Sequence, residues 1–292
     1  MREGEIIMEI NGAEVSLRMD LTEALNGRLD RDLTLKVQGL DDEQKQREVI
    51  MRPSSYSKAR SLVESDKIND TRKRVEELSG GRLGYLYVAR MMWSEFQKFE
   101  REIYAEGDGK EGLVIDVRNN GGGFTADHLL TVLVPPVHAS TVPRGGGSGY
   151  PGDRRVYATW TKPIVVLCNE KSFSNAEIFS HAIKNLKRGK LVGVTTAGGV
   201  ISTGSRSIMD FGTIRMPGRG WFLPDGQDME LNGAVPDYLI WPLPGELPSG
   251  NDKQLDKAVQ VLLSDVDKVA NESKKKLIRA SQRKATEAEP SQ

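Results

Sequence analysis

An α/β architecture around a mostly parallel sheet is predicted for residues 81–250, on two observations. Four short apolar runs, Leu83–Val88, Leu113–Val117, Ile164–Leu167 and Leu191–Val194, have the length and continuity of strands buried on both faces. Helical patterns lie between them at Trp93–Ile103 and Ala176–Leu186, and strand alternating with helix is the signature of a parallel sheet covered by helices. The pair Gly80-Gly81 breaks the chain just before this region.

A smaller, mostly β module precedes it over residues 1–53. Glu5–Ile10 reads as a strand and Asn11-Gly12 as the turn after it. Asp20 is placed to cap a short helix with Leu21, Ala24 and Leu25, which Gly27 ends. Leu33–Val37 and Arg47–Met51 read as two more strands, and Pro53 closes a module near the lower size limit for folding alone. Residues 54–80 are polar, with sparse apolar positions, and read as a helical linker. Late in the core, Ser205–Met209 and Thr213–Met216 are short strands punctuated by glycine and proline. Residues 251–292 hold an amphipathic helix, with Leu255, Val259, Leu262 and Val266 at helical spacing, and a polar tail from Lys274 that is expected to be disordered. No internal repeat is visible.

Composition removes several function classes. Lys plus Arg and Asp plus Glu number 41 each in 292 residues, so no overall field draws the chain to nucleic acid or anionic lipid. One cysteine, Cys168, allows neither an internal disulfide nor a multi-cysteine metal site. Three histidines without an HExxH pattern do not suggest a zinc hydrolase, and no metal or organic cofactor is implied. No apolar run approaches the roughly 20 residues of a membrane span. The opening Met1-Arg2-Glu3-Gly4-Glu5 shows no leader pattern. That favours the cytoplasm, with the periplasm open if the chain begins upstream.

Four segments can carry chemistry. Asp116-Val117-Arg118-Asn119-Asn120-Gly121-Gly122-Gly123 follows a buried strand, and a glycine run there lets backbone N–H groups approach a ligand or an oxyanion. No Gly-Lys-Ser/Thr follows, so it is not a P-loop; a plain tight turn is the competing reading. Asn169–Glu177 lies between a strand and a helix, where a serine at the helix N-terminus is well placed as a nucleophile. Ser174 and Glu177 also fit the capping box Ser-x-x-Glu, which is the favoured reading of that pair taken alone. Asp225–Asp237 packs four acids into a Gly-containing stretch; spacing does not choose among them, and a solvated loop is the common case. Arg144–Gly149 reads as a flexible surface loop.

Taken in order, these segments resemble the tricorn and C-terminal-processing serine peptidases. The matching series is Leu83–Val88, Asp116–Gly123, Asn169–Ser174 and Gly193–Gly199, and the resemblance covers roughly residues 81–245. It implies a crotonase/ClpP-like core in which Ser174 is the nucleophile. It also implies an oxyanion hole made by N–H groups of Gly122, or Gly121, and Asn175. The C-terminal-processing branch would place a lysine at or beside Gly199, where this chain has glycine. The tricorn branch uses a histidine N-terminal to its PDZ domain and an acid late in the core, and Glu230 stands at the acid's place. The sequence therefore leans to tricorn. Residues 4–53 resemble the second half of a PDZ domain, without the first half and its peptide-pairing strand.

No histidine of this chain takes the place of the tricorn base on sequence grounds. His181 lies seven residues past Ser174 on one predicted helix, roughly 10 Å along its axis. His128 follows the glycine turn and could approach the site, though a plain helix residue is the favoured reading, and His138 reads as a loop residue. The expectation is a serine peptidase acting on peptides or unfolded protein through an acyl-enzyme. Its base would come from a segment outside this chain, and family resemblance adds homo-oligomerisation. A triad serine without its base loses roughly 10⁶-fold in kcat, so the chain alone is expected to be very weak or inactive. The alternative is a non-catalytic scaffold or binding protein that keeps the fold. A stand-alone peptide-binding module is a third reading, disfavoured by the incomplete PDZ.

Overall fold

The computed structural model describes residues 1–27, 29–39, 46–146, 149–151, 158–272 and 277–278. Two compact units divide the chain, Met1–Asp70 and Thr71–Gln292. The tail from Lys274 lies outside the described residues except for Leu277 and Ile278, as do Gly147 and Ser148 of the Arg144–Gly149 loop.

The first unit holds β1 (Ile6–Ile10), β2 (Ala13–Glu14), α1 (Leu21–Leu25), β3 (Leu33–Gln38) and β4 (Gln46–Met51). Its strands form an antiparallel sheet in the order β2-β1-β3-β4. Asn11 and Gly12 turn β1 into β2 with φ of 49° and 79°, the doubly positive turn whose twist suits a hairpin. Asp20 caps α1, accepting from the N–H groups of Thr22 and Glu23 at 2.8 and 3.2 Å. Alternate residues of β3, Leu33, Leu35 and Val37, meet Ile10 in a small core, while Thr34, Lys36 and Gln38 take the other face. Helix α2 (Tyr56–Ser79) begins in this unit and ends in the next. Its apolar positions do not line one face, and only Val75 and Ser79 are buried.

The second unit continues with β5 (Leu83–Tyr87), α3 (Trp93–Ala105), β6 (Gly112–Asp116), α4 (Ala126–Leu133), β7 (Ile164–Cys168) and α5 (Asn175–Asn185). It ends with β8 (Lys190–Gly193), β9 (Ser202–Ile208), β10 (Gly212–Arg219), β11 (Tyr238–Leu239) and α6 (Lys253–Asn271). Five strands form a parallel sheet in the order β11-β8-β7-β6-β5. The four apolar runs of the sequence are β5, β6, β7 and β8, with β5 at one edge. β9 and β10 pair only with each other, antiparallel, as a separate ribbon.

Side-chain alternation sorts the two faces of the sheet. Leu86, Leu113, Ile115, Val166 and Leu191 join a core with Phe96 and Ile103 of α3, Leu129 and Leu133 of α4, and Phe179 and Ile183 of α5. Each such side chain contributes roughly 1.5–3 kcal/mol by leaving water. On the other face α6 lies against β6, β7 and β8. Gly112 lets it approach, because a Cβ there would stand 3.1 Å from side-chain atoms of Leu262 and Val266. Helix α4 is the element that periodicity did not single out: eight residues complete barely two turns, too few for a pattern.

A buried polar cluster ties β5 and β6 to the start of α6. Arg118 donates to Asp116 through Nε and Nη2, the latter at 2.6 Å, and through Nη1 to Asp252 at 2.8 Å and Gln254 at 3.1 Å. The Tyr85 hydroxyl donates to Asp116 at 2.9 Å. Asp252 is also the N-cap of α6, accepting from the Leu255 N–H at 3.0 Å. Burial by itself would lower the Arg118 pKa, but the Asp116 carboxylate, and then Asp252, more than offset it and hold the guanidinium charged. Removing one member of such a cluster leaves an uncompensated charge in the interior. Arg118→Met is therefore expected to lower unfolding free energy by about 3–5 kcal/mol, read by chemical denaturation.

His181 on α5 is buried, with Nε2 3.1 Å from the Asn232 carbonyl oxygen. Burial lowers its pKa below the ordinary 6.5, and the Asn232 contact opposes this only in part. The unfolded chain therefore takes up this proton more readily than the native one. The stability tied to a neutral His181 is intact above about pH 6.5 and falls as pH drops toward the native pKa. Thermal melts between pH 7.5 and 5 should show a smaller decline in His181→Gln than in the parent chain.

Candidate active site

Three adjacent strands of the sheet, β6, β7 and β8, end at the same edge and run into the loops 117–125, 169–174 and 194–201. The carboxyl edge of a parallel sheet is where open α/β folds place their sites. Cross-links hold the first two loops together. The Ser172 hydroxyl donates to the Val117 carbonyl at 2.8 Å and accepts from the Asn169 N–H at 3.0 Å. Asn169 Oδ1 accepts from the Asn119 N–H at 2.9 Å, and the Phe173 N–H donates to the Asn120 carbonyl at 2.9 Å. The third loop joins through the Ala197 N–H, 3.1 Å from the Ser172 carbonyl.

Ser174 sits at the β7–α5 turn with φ 56° and ψ −117°, a conformation that non-glycine residues adopt only where their surroundings impose it. It is half-buried, and its hydroxyl faces the Glu177 N–H in a capping box without making a close cap hydrogen bond. The Ser-x-x-Glu box exists in outline, but its ordinary hydrogen bond is the Glu177 half: Glu177 Oε1 accepts from the Ser174 N–H at 3.0 Å. The Glu177 N–H also goes to the Ser174 carbonyl at 2.9 Å, so the hydroxyl shares that donor and is not tightly held by the cap. A serine that only capped α5 would have its hydroxyl on the helix N–H groups.

Gly122 lies directly against this turn. A Cβ on Gly122 would stand 2.7 Å from both the Phe173 carbonyl oxygen and the Ser174 Cβ, and its φ of 90° also demands glycine. The Gly122 N–H, the expected oxyanion donor, is occupied here by Asn120 Oδ1 at 2.9 Å. The N–H groups of Asn175 and Gly121 have no acceptor among the described residues. Asn175 Oδ1 accepts from the Ala126 N–H at 2.8 Å, which binds the start of α5 to the start of α4.

The four acids of Asp225–Asp237 separate by their partners. Asp225 and Asp228 accept from N–H groups two residues on, in local turns, and Asp237 accepts from the Leu191 N–H on β8. Glu230 faces the third loop, where Oε2 accepts from the N–H groups of Val200 and Ile201 at 2.7 and 3.0 Å. Its Oε1 has no partner among the described residues. Glu177 holds the two preceding N–H groups of that segment, Gly198 and Gly199, so two carboxylates share one strap of backbone.

The three histidines have other partners. His181 is on Asn232, and His138 lies against the Tyr150 ring at 5.0 Å. His128 stands 5.3 Å from the rings of Trp93 and Phe96, and its Nδ1 has no partner among the described residues. Cys168 is no rival nucleophile: burial pushes its thiol up to about 12. Among the described residues no group of three His, Cys, Asp or Glu is arranged to hold a metal ion, and no helix is long and apolar enough to cross a membrane.

Peptidase family S41 is matched over residues 82–240, which spans every segment above. A tricorn protease of Thermoplasma volcanium is 31% identical over 278 residues, covering 94% of this chain and 26% of the relative. Tricorn protease homolog 1 of Streptomyces coelicolor is 36% identical over 203 residues, covering 68% of this chain and 18% of the relative. The crystal structure of the tricorn protease superposes with a TM-score of 0.69 at 28% identity, over 90% of this chain and 25% of that one. The chain thus spans about a quarter or less of the length of these relatives. With the family matched over more than half of its residues, the chain belongs to peptidase family S41 and is similar to the tricorn proteins within it.

Proposed function

We propose that the chain carries the nucleophile, oxyanion donors and acid of a tricorn-type serine peptidase, which cleaves peptides or unfolded protein through an acyl-enzyme. The observation that carries this reading is Ser174, held at φ 56° with no close cap hydrogen bond to its hydroxyl, at the N-terminus of α5 and against Gly122. A serine on a sharp strand-to-helix turn projects its oxygen beyond the sheet edge.

In this reading Ser174 Oγ attacks the scissile carbonyl carbon, and its proton passes to a base. The carbonyl oxygen becomes an oxyanion, held by the N–H of Asn175 and one from the glycine turn. Gly122 serves if Asn120 Oδ1 releases its N–H, and Gly121 otherwise. The positive end of the α5 dipole favours the same charge. Collapse of the intermediate expels the amine, and water then releases the acyl group from Ser174. Glu230, fixed through Oε2, turns Oε1 toward an imidazole that the three histidines of the chain do not provide. The family relatives, several times longer, support a base carried elsewhere.

The finer fold readings belong with this proposal. We take the second unit as a crotonase/ClpP-like core, on its parallel sheet and loop order. The first unit is taken as the second half of a PDZ domain, on its strand–turn–helix–strand sequence. Homo-oligomerisation rests on family resemblance.

Two outcomes test the site. A fluorophosphonate should label the purified chain slowly and at Ser174 alone, with no adduct in Ser174→Ala. Added imidazole should accelerate labelling by about tenfold, recovering part of what a positioned base supplies. Labelling in Ser174→Ala would sink the assignment. Gly122→Ala should abolish labelling and cost about 1–3 kcal/mol in denaturation, since it strains the backbone and drives a methyl group into Ser174; wild-type labelling in that variant would separate the glycine turn from the nucleophile.

A further inference from the structure

The structure assigns Glu177 as a positioning residue: its buried carboxylate holds the backbone of Ser174 in its reactive conformation and locks the turn to the strap 196–201. This rests on the reading of Ser174 as the nucleophile. Glu177 is fully buried and takes hydrogen bonds from three directions. Oε1 accepts from the N–H groups of Ser174 at 3.0 Å and Gly199 at 2.9 Å. Oε2 accepts from the Thr196 hydroxyl at 2.7 Å and from the Gly198 N–H. A helix cap needs one of these bonds, and the other three reach residues 19 to 22 positions away.

Two consequences follow from that geometry. The Ser174 N–H is consumed, so it takes no part in an oxyanion hole, and the free N–H beside it is that of Asn175. The strap that Glu177 grips at Gly198 and Gly199 is gripped by Glu230 at Val200 and Ile201. The nucleophile and the acid are therefore spaced by four consecutive peptide groups held at both ends. Releasing the Glu177 end lets the φ of Ser174 relax and the spacing drift, and misplacement near 1 Å costs up to about 10²-fold in rate.

The test compares Glu177→Ala with Glu177→Gln in the full chain, following fluorophosphonate adducts in imidazole buffer by intact mass. A glutamine can keep its carbonyl oxygen on Ser174 and Gly199 while its amide group opposes the Gly198 N–H. Glu177→Ala should lower the maximal labelling rate by about ten- to a hundredfold, leaving the half-saturating probe concentration unchanged. Glu177→Gln should recover most of that rate even where its Tm is lowered, which a purely structural role would not produce. A folded Glu177→Ala that labels Ser174 at the parent rate overturns the proposal, as does a Glu177→Gln that loses rate as fully as the alanine. Should the alanine variant not fold, amide hydrogen exchange in Glu177→Gln decides: Ser174 protected with Gly198 exposed supports the clamp, and equal exposure of both overturns it. Failure of the nucleophile reading looks different, since the parent chain would then show no adduct or an adduct that survives in Ser174→Ala.

Discussion

A serine at φ 56° and ψ −117° does not hold that conformation by local preference, and the rest of the site depends on its being held there. The constraint comes from several sides. β7 delivers the chain to the sheet edge, α5 starts one residue after Ser174, and Gly122 fills the space beneath with no side chain of its own. The Ser174 N–H is held by Glu177 Oε1 at 3.0 Å, which fixes the backbone on one side of the turn. A residue that caps a helix thereby keeps a loosely held oxygen in front of positively polarised N–H groups.

The scaffold makes this affordable because the strain sits on its stiffest part. β6 and β7 are buried along their whole length and covered on one face by α3, α4 and α5 and on the other by α6. Their loops are joined by side chain-to-backbone bonds at Asn119, Asn169 and Ser172. One turn earlier, below the glycine loop, the Asp116–Arg118–Asp252 cluster anchors the same strand end to α6. Asp116 and Arg118 stand in the motif that reaches the nucleophile but point to the opposite side of the sheet, so their work is structural. One short segment thus serves both faces: its charges fasten a helix, and its glycines make room for a serine.

Much of this was legible in the sequence, for local reasons. Buried strands of a parallel sheet need uninterrupted apolar runs, so β5 to β8 stood out, and α3, α5 and α6 carry enough turns for their apolar stripes to show. The Asn11-Gly12 turn and the Asp20 cap are dictated by backbone chemistry within a few residues, and both form. Helix α4 was too short to declare itself, and the Ser-x-x-Glu spacing pointed to the capping box that forms but carried no information on the other bonds Glu177 makes.

The sequence by itself determined the longer strands, most helices, the close backbone approach at the glycine run and a serine at a helix start, but not the two-residue strands β2 and β11. These follow from periodicity and from conformations that single residue types permit. Only the tertiary structure decided what each polar group does. It put the Gly122 N–H on Asn120, chose Glu230 among four acids by aiming it at Val200 and Ile201, and committed His181 to Asn232. It also made the capping residue Glu177 the junction of two loops. The physical reason is that a hydrogen bond is set by distance and direction in space, and residues twenty or fifty positions apart acquire these only when the sheet brings its loops to one edge.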